Sequence, residues 1–96
     1  MAVYQLSVRA ARELDEIFAF GAMTFGLLQA ERYLASLENV FALLAANPLL
    51  GRSSSYLGPG IRRHAHGSHA IIYRPAAEGV VILAVIHGQS SQSRLW

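Results

Sequence analysis

Hydrophobic and polar positions alternate along Val3-Tyr4-Gln5-Leu6-Ser7-Val8, with Tyr4, Leu6 and Val8 set against Val3, Gln5 and Ser7. That two-residue period predicts a short first strand with one buried face. The period then lengthens. Ala11, Leu14, Ile17, Phe18, Gly21 and Phe25 recur at spacings of three and four, which predicts an amphipathic helix that Ser7 can cap. Arg9 and Glu13, and likewise Arg12 and Glu16, stand one turn apart, as solvent-side ion pairs would. Gly26 is placed to end this helix in a left-handed conformation, and Leu27, Ala30, Leu34, Leu37, Phe41 and Leu44 predict a second helix directly after it. Asn47-Pro48 stops that helix, because proline disfavours helical geometry in the residue before it.

Residues 49–60 carry three glycines, Pro59 and the run Ser53-Ser54-Ser55, and read as a loop. Ile61 to His66 predicts a strand, Gly67-Ser68 a two-residue hairpin turn, and His69 to Arg74 the returning strand. Pro75 to Gly79 turns again into Val80-Val81-Ile82-Leu83-Ala84-Val85-Ile86, an unbroken apolar run that marks a central strand buried on both faces. One face would lie under the helices, and the other needs a loop or a partner. The expected fold is therefore α+β: an N-terminal strand, an αα-hairpin, then a three-stranded antiparallel meander, with both helices on one face of the sheet. Ninety-six residues without repeat or linker make a single domain spanning residues 1–96.

Composition sharpens this picture. Hydrophobic residues make up 53% of the chain and charged residues 15%, apolar enough in so small a domain that some surface is expected to need a partner. The first residues show neither the basic stretch nor the apolar run of a secretion signal, and no segment approaches the ~20 apolar residues of a membrane span. A cytoplasmic home without membrane contact is the expectation. Cysteine is absent, which excludes disulfides, thiolate metal sites and cysteine nucleophiles.

All eight cations are arginines, the residue whose planar fork suits phosphate and carboxylate. Residues 1–48 hold three of them against five carboxylates, and residues 49–96 hold five against Glu78 alone, giving −2 and +4 within the total of +2. The four histidines, His64, His66, His69 and His87, lie in the basic half as well. That half suits an acidic protein surface or nucleic acid.

Several local sequences stand in order along the chain: Ala11 to Ile17 after a first strand; Phe25-Gly26 with Gln29-Ala30 and Tyr33; Asn47-Pro48 with Gly51-Arg52; Gly60 to Arg63; His69 to Arg74; and Ile82 to Ile86 leading into His87-Gly88. Together they resemble the RelE/ParE toxin superfamily, on its ParE side. The resemblance implies a toxin of a type II toxin–antitoxin module, held in a hetero-oligomer by a ParD-like antitoxin whose C-terminal segment wraps along it, with DNA gyrase as target. The RelE branch instead cleaves messenger RNA on the ribosome, which is the alternative. Many ParE relatives carry Arg and Asp after the His-Gly pair, where this chain has Gln89-Ser90-Ser91-Gln92.

Arg62, Arg63, Arg74, His87, Arg94 and Trp96 are the candidates for target contact, and Phe20, Met23, Tyr33 and Tyr73 for antitoxin contact. RNA cleavage needs an acid, a base and cations gathered on one phosphate. Alternation sends Arg62, His64 and His66 to one strand face and Arg63 to the other, and no tyrosine or lysine follows His87, so no catalytic set is assigned. His64-Ala65-His66 with His69 can be read as metal ligands, but no acid stands near to complete them. No metal and no cofactor is expected. Arg74 can alternatively pair with Glu78 across the turn.

Overall fold

A computed structural model describes residues 2–88; Arg94 and Trp96 lie outside them. Strand β1 (Val3–Leu6) leads into helix α1 (Val8–Phe25), then α2 (Leu27–Ala46), a two-residue strand β2 (Arg52–Ser53), a 3-10 turn at Ser55–Leu57, and strands β3 (Arg62–His66), β4 (His69–Ala76) and β5 (Gly79–His87). The α+β order expected from the sequence is the one observed. The sheet has five strands in the order β1-β5-β4-β3-β2. The meander β3-β4-β5 is antiparallel, β2 pairs antiparallel with β3, and β1 adds a parallel edge against β5.

Ser7 makes the first corner. Its Oγ accepts the Ala10 N–H at 3.0 Å as the helix cap and donates to the Leu83 carbonyl at 2.8 Å, tying the start of α1 to the central strand. Val8 therefore opens the helix and is exposed, where alternation had placed it at the end of the strand. The register of β4 with β5 slips between Ile72 and Tyr73, which face Ala84 and Ile82, so Leu83 is an extra residue on β5. Past that bulge the helix-facing position moves from Ile82 to Val85.

Glu13 meets the bulge. One carboxylate oxygen accepts the Val85 N–H at 2.9 Å and the other accepts Arg9 Nε at 3.2 Å. Glu13 is thus half-buried against the sheet rather than on the solvent side. Neither an Arg12–Glu16 nor an Arg74–Glu78 ion pair forms among the described residues.

The run 80–86 is central as expected, and both its faces are covered. On the helix side Ile71, Tyr73, Val80, Ile82 and Val85 pack with Ala10, Leu14, Leu37, Phe41 and Leu44. A fully buried side chain such as Phe41 stabilises by roughly 1.5–3 kcal/mol. On the other side Ala70, Ile72, Ala84 and Ile86 pack with Leu57 and Ile61 from the loop and the start of β3. Pro75 continues β4, pairing with Val80 beyond the last β3 pair, where no neighbour needs its missing N–H.

Gly26 joins the two helices at φ 93°, ψ 158°, an extended positive-φ conformation rather than the left-handed helical one expected. Its N–H donates to the Ala22 carbonyl and its carbonyl accepts the Ala30 N–H, so one residue ends α1 and starts α2. The hairpin outreaches the sheet at this end. Phe20, Met23, Phe25, Leu27 and Leu28 are each more than half exposed there, so the apolar stripes of both helices run past the core.

Candidate functional site

Between the outer half of the helical hairpin and the end of the sheet where β4 begins and β5 stops lies an open groove of about 900 Å³. Ile17, Phe20, Gly21 and Phe25 of α1 and Ala30 and Tyr33 of α2 form an apolar wall; Ser68, His69, Val85, Ile86 and His87 form the sheet side. Glu13, Glu16, Gln29, Arg32 and Ser36 complete the lining. The helices create this wall because the stripe that buries Ala10 and Leu14 over the sheet continues through Ile17 and Phe20 where little sheet lies beneath.

The sheet side is a histidine cluster fastened to α2. Tyr33 Oη lies 2.6 Å from His69 Nδ1 and 3.3 Å from the His66 carbonyl, and Ser36 Oγ lies 2.9 Å from His66 Nε2 while donating to the Tyr33 carbonyl. The Tyr33 ring stacks on His66 at 5.9 Å, and His87 meets His69 edge-on at 5.9 Å. Gly67 is required in the turn: its φ is 56°, and a Cβ there would stand 2.7 Å from Tyr33 Oη. Burial, with the neighbouring His87 and His66 adding to it, holds the His69 imidazole below its ordinary value of 6.5, so it is neutral at pH 7. Among the described residues no three His, Asp or Glu side chains gather as metal ligands.

The sequence-predicted residues fall into separate groups. Phe20, Tyr33 and His87 meet in the groove, and Met23 is exposed on the hairpin tip beside it. Arg62 lies on the helix side and donates to the carbonyls of Gly51 at 2.6 Å and Leu49 at 3.4 Å, holding the loop after α2. Arg63 points to the opposite face and donates to the Gly88 carbonyl at 2.7 Å. Arg74 is exposed on that face too, two residues along β4 from Ile72, the partner of Arg63.

Expected at an antitoxin contact, Tyr73 is instead fully buried as a core residue, its hydroxyl donating to the Pro48 carbonyl and accepting the Gly51 N–H, each at 2.8 Å. Its hydroxyl partners could not be read from the sequence around it, because the acceptor and donor come from the loop at 48–51. Sequence reasoning also missed Ser36 and the tie from Glu13 to Val85. Tyr33 and Ser36, three apart on one helix face, and His66 and His69, flanking a two-residue turn, were the available signals.

Residues 4–91 match the family described as "ParE toxin of type II toxin-antitoxin system, parDE". "Toxin ParE1" of Mycobacterium tuberculosis is 36% identical over 92 residues, covering 95% of this chain and 94% of that protein. "Toxin ParE1" of Caulobacter vibrioides is 36% identical over 94 residues, covering 98% and 96%. The fold is shared with a chain of the "Chromosomal ParDE TA system from P. aeruginosa" at a TM-score of 0.75 and 22% identity, covering 91% of this chain and 96% of that one. A chain of the M. tuberculosis "toxin-antitoxin complex RelBE2" aligns at a TM-score of 0.65 and 25% identity, covering 90% and 96%.

Proposed function

This chain belongs to the ParE family of toxins of type II toxin–antitoxin systems, and from that premise we propose that it inhibits DNA gyrase and is silenced by a ParD-like antitoxin seated in the groove. The observation that carries the antitoxin half is the apolar wall of Ile17, Phe20, Phe25 and Tyr33, continued by exposed Met23 and Leu27. An amphipathic helix laid there would bury its apolar face against them, as helix-in-groove partners do. Glu13 and Glu16 on one wall and Arg32 on the other would meet charges flanking the stripe.

The gyrase half is supported by likeness to toxins named ParE along nearly the whole chain. The dispersal of Arg62, Arg63 and Arg74 over two faces suits contact with a large surface better than convergence on one scissile phosphate. On this reading the toxin works in the cytoplasm, where gyrase is. Purified toxin added to a gyrase supercoiling reaction is expected to inhibit it, and the cognate antitoxin to restore it. A reaction that stays at full rate with excess toxin refutes the proposal. The likeness to RelBE2 keeps message cleavage as the second reading, and new message ends mapped in cells expressing the toxin would favour it.

A further inference from the structure

We infer that the helix-free face of the sheet binds a single nucleic-acid strand, through phosphate contacts from Arg52, Arg63 and Arg74 and base stacking on Tyr56. Strand register places the arginines. Arg52 pairs directly with Arg63 across β2 and β3, and Arg63 with Ile72 across β3 and β4, so all three share a face. Ile72 packs in the cluster away from the helices, and Arg74 follows it by one alternation on the same strand.

Two directly opposed arginines repel each other unless an anion lies between them. Among the described residues no carboxylate supplies one. Five of the six acidic residues are on α1 and α2, across the sheet, and Glu78 in the β4–β5 turn makes no ion pair among the described residues. Arg63 donates to a neutral carbonyl, and the guanidinium groups of Arg52 and Arg74 have no partner among the described residues. Adjacent strands are about 4.8 Å apart, so the three heads span the length of a few successive phosphates. Arginine's fork matches such oxygens two at a time.

Tyr56 supplies the choice of nucleic acid over an acidic peptide. It is 75% exposed on the 3-10 turn whose next residue, Leu57, is planted in this same face. Cations for the phosphates and an exposed aromatic ring for the bases are how unpaired strands are held, and a carboxylate-bearing peptide would gain little from the ring. This surface is separate from the groove and does not depend on the gyrase reading.

The test is fluorescence anisotropy of the full chain with a short labelled single-stranded oligonucleotide, with neither gyrase nor antitoxin present. Three phosphate contacts predict a roughly twenty-fold loss of affinity between about 50 and 200 mM salt. Arg52→Glu and Arg74→Glu should each flatten that dependence to roughly seven-fold, and Tyr56→Ala should weaken binding at least about five-fold. Arg12→Glu makes the same charge change on the helix side and should leave binding as it was. All four positions are exposed, so an unchanged melting midpoint confirms that each variant is folded. Equal losses in Arg12→Glu and Arg52→Glu, no loss in Tyr56→Ala, or displacement by oligoglutamate as effective as by oligonucleotide overturns the inference, the last in favour of an acidic protein segment.

Discussion

Replacing Tyr73 by Phe keeps the ring that packs against the helices and removes one oxygen. That oxygen satisfies two backbone groups at once, accepting the Gly51 N–H and donating to the Pro48 carbonyl, each at 2.8 Å. Gly51 is buried, so its N–H loses its partner with no water to replace it, while the half-buried Pro48 carbonyl can rehydrate in part. An orphaned buried group costs about 1–3 kcal/mol, which makes the whole substitution worth about 2–3 kcal/mol. In a domain of this size that lowers the melting midpoint by roughly 10–20 °C, readable by circular dichroism. The pH dependence is a second readout. Burial raises the Tyr73 hydroxyl above its ordinary 10.0, against the opposing pull of the Gly51 N–H and Arg62. A group protonated more tightly when folded contributes stability that is complete below pH 10 and lost as pH rises through the folded value. Tyr73→Phe should therefore lose less stability than wild type at alkaline pH. A midpoint within about 2 °C of wild type, or antitoxin affinity that falls while stability holds, would refute the assignment of Tyr73 to the core.

Other substitutions probe the remaining joints. Glu13→Ala orphans the Val85 N–H at the bulge and should cost about 1–3 kcal/mol in chemical denaturation, whereas Glu13→Gln keeps an acceptor and should cost under about 1 kcal/mol. Gly26→Ala forces a Cβ into an extended positive-φ conformation and should destabilise by about 1–3 kcal/mol in the same assay, although nothing crowds the site. His69 has a lowered folded value, so its contribution is present above pH 6.5 and lost as pH falls through that lower value; the melting midpoint should drop as pH falls below 6.5, and less so in His69→Gln. Met23→Asp and Phe20→Asp should leave the midpoint unchanged but weaken antitoxin binding at least about ten-fold by calorimetry, since each apolar side chain is exposed in the free toxin.

Element order and the central strand were legible because periodicity reports burial, and burial is what places Leu14, Leu37, Phe41 and the run 80–86. What escaped was set by contacts distant in sequence. Parallel pairing of β1 with β5 requires Gly79, where a Cβ would overlap the Val3 carbonyl oxygen, and nothing around Gly79 announces that strand. Glu13 reads as half of a surface ion pair until the bulge at Leu83 leaves an N–H facing it. Tyr73 reads as an exposed aromatic next to Arg74, yet alternation alone sends the two to opposite faces. The same alternation separated Arg62 from Arg63, and the structure extends it to Arg52 and Arg74 by register that only strand pairing fixes.

Hydrogen exchange of the toxin alone and bound to its antitoxin tests the groove as the antitoxin's seat most directly. The account predicts slowed exchange along residues 17–36, at the 66–69 turn and at 85–87, with 52–63 unchanged. Protection confined to 52–63 while the hairpin tip continues to exchange as in the free toxin would contradict it.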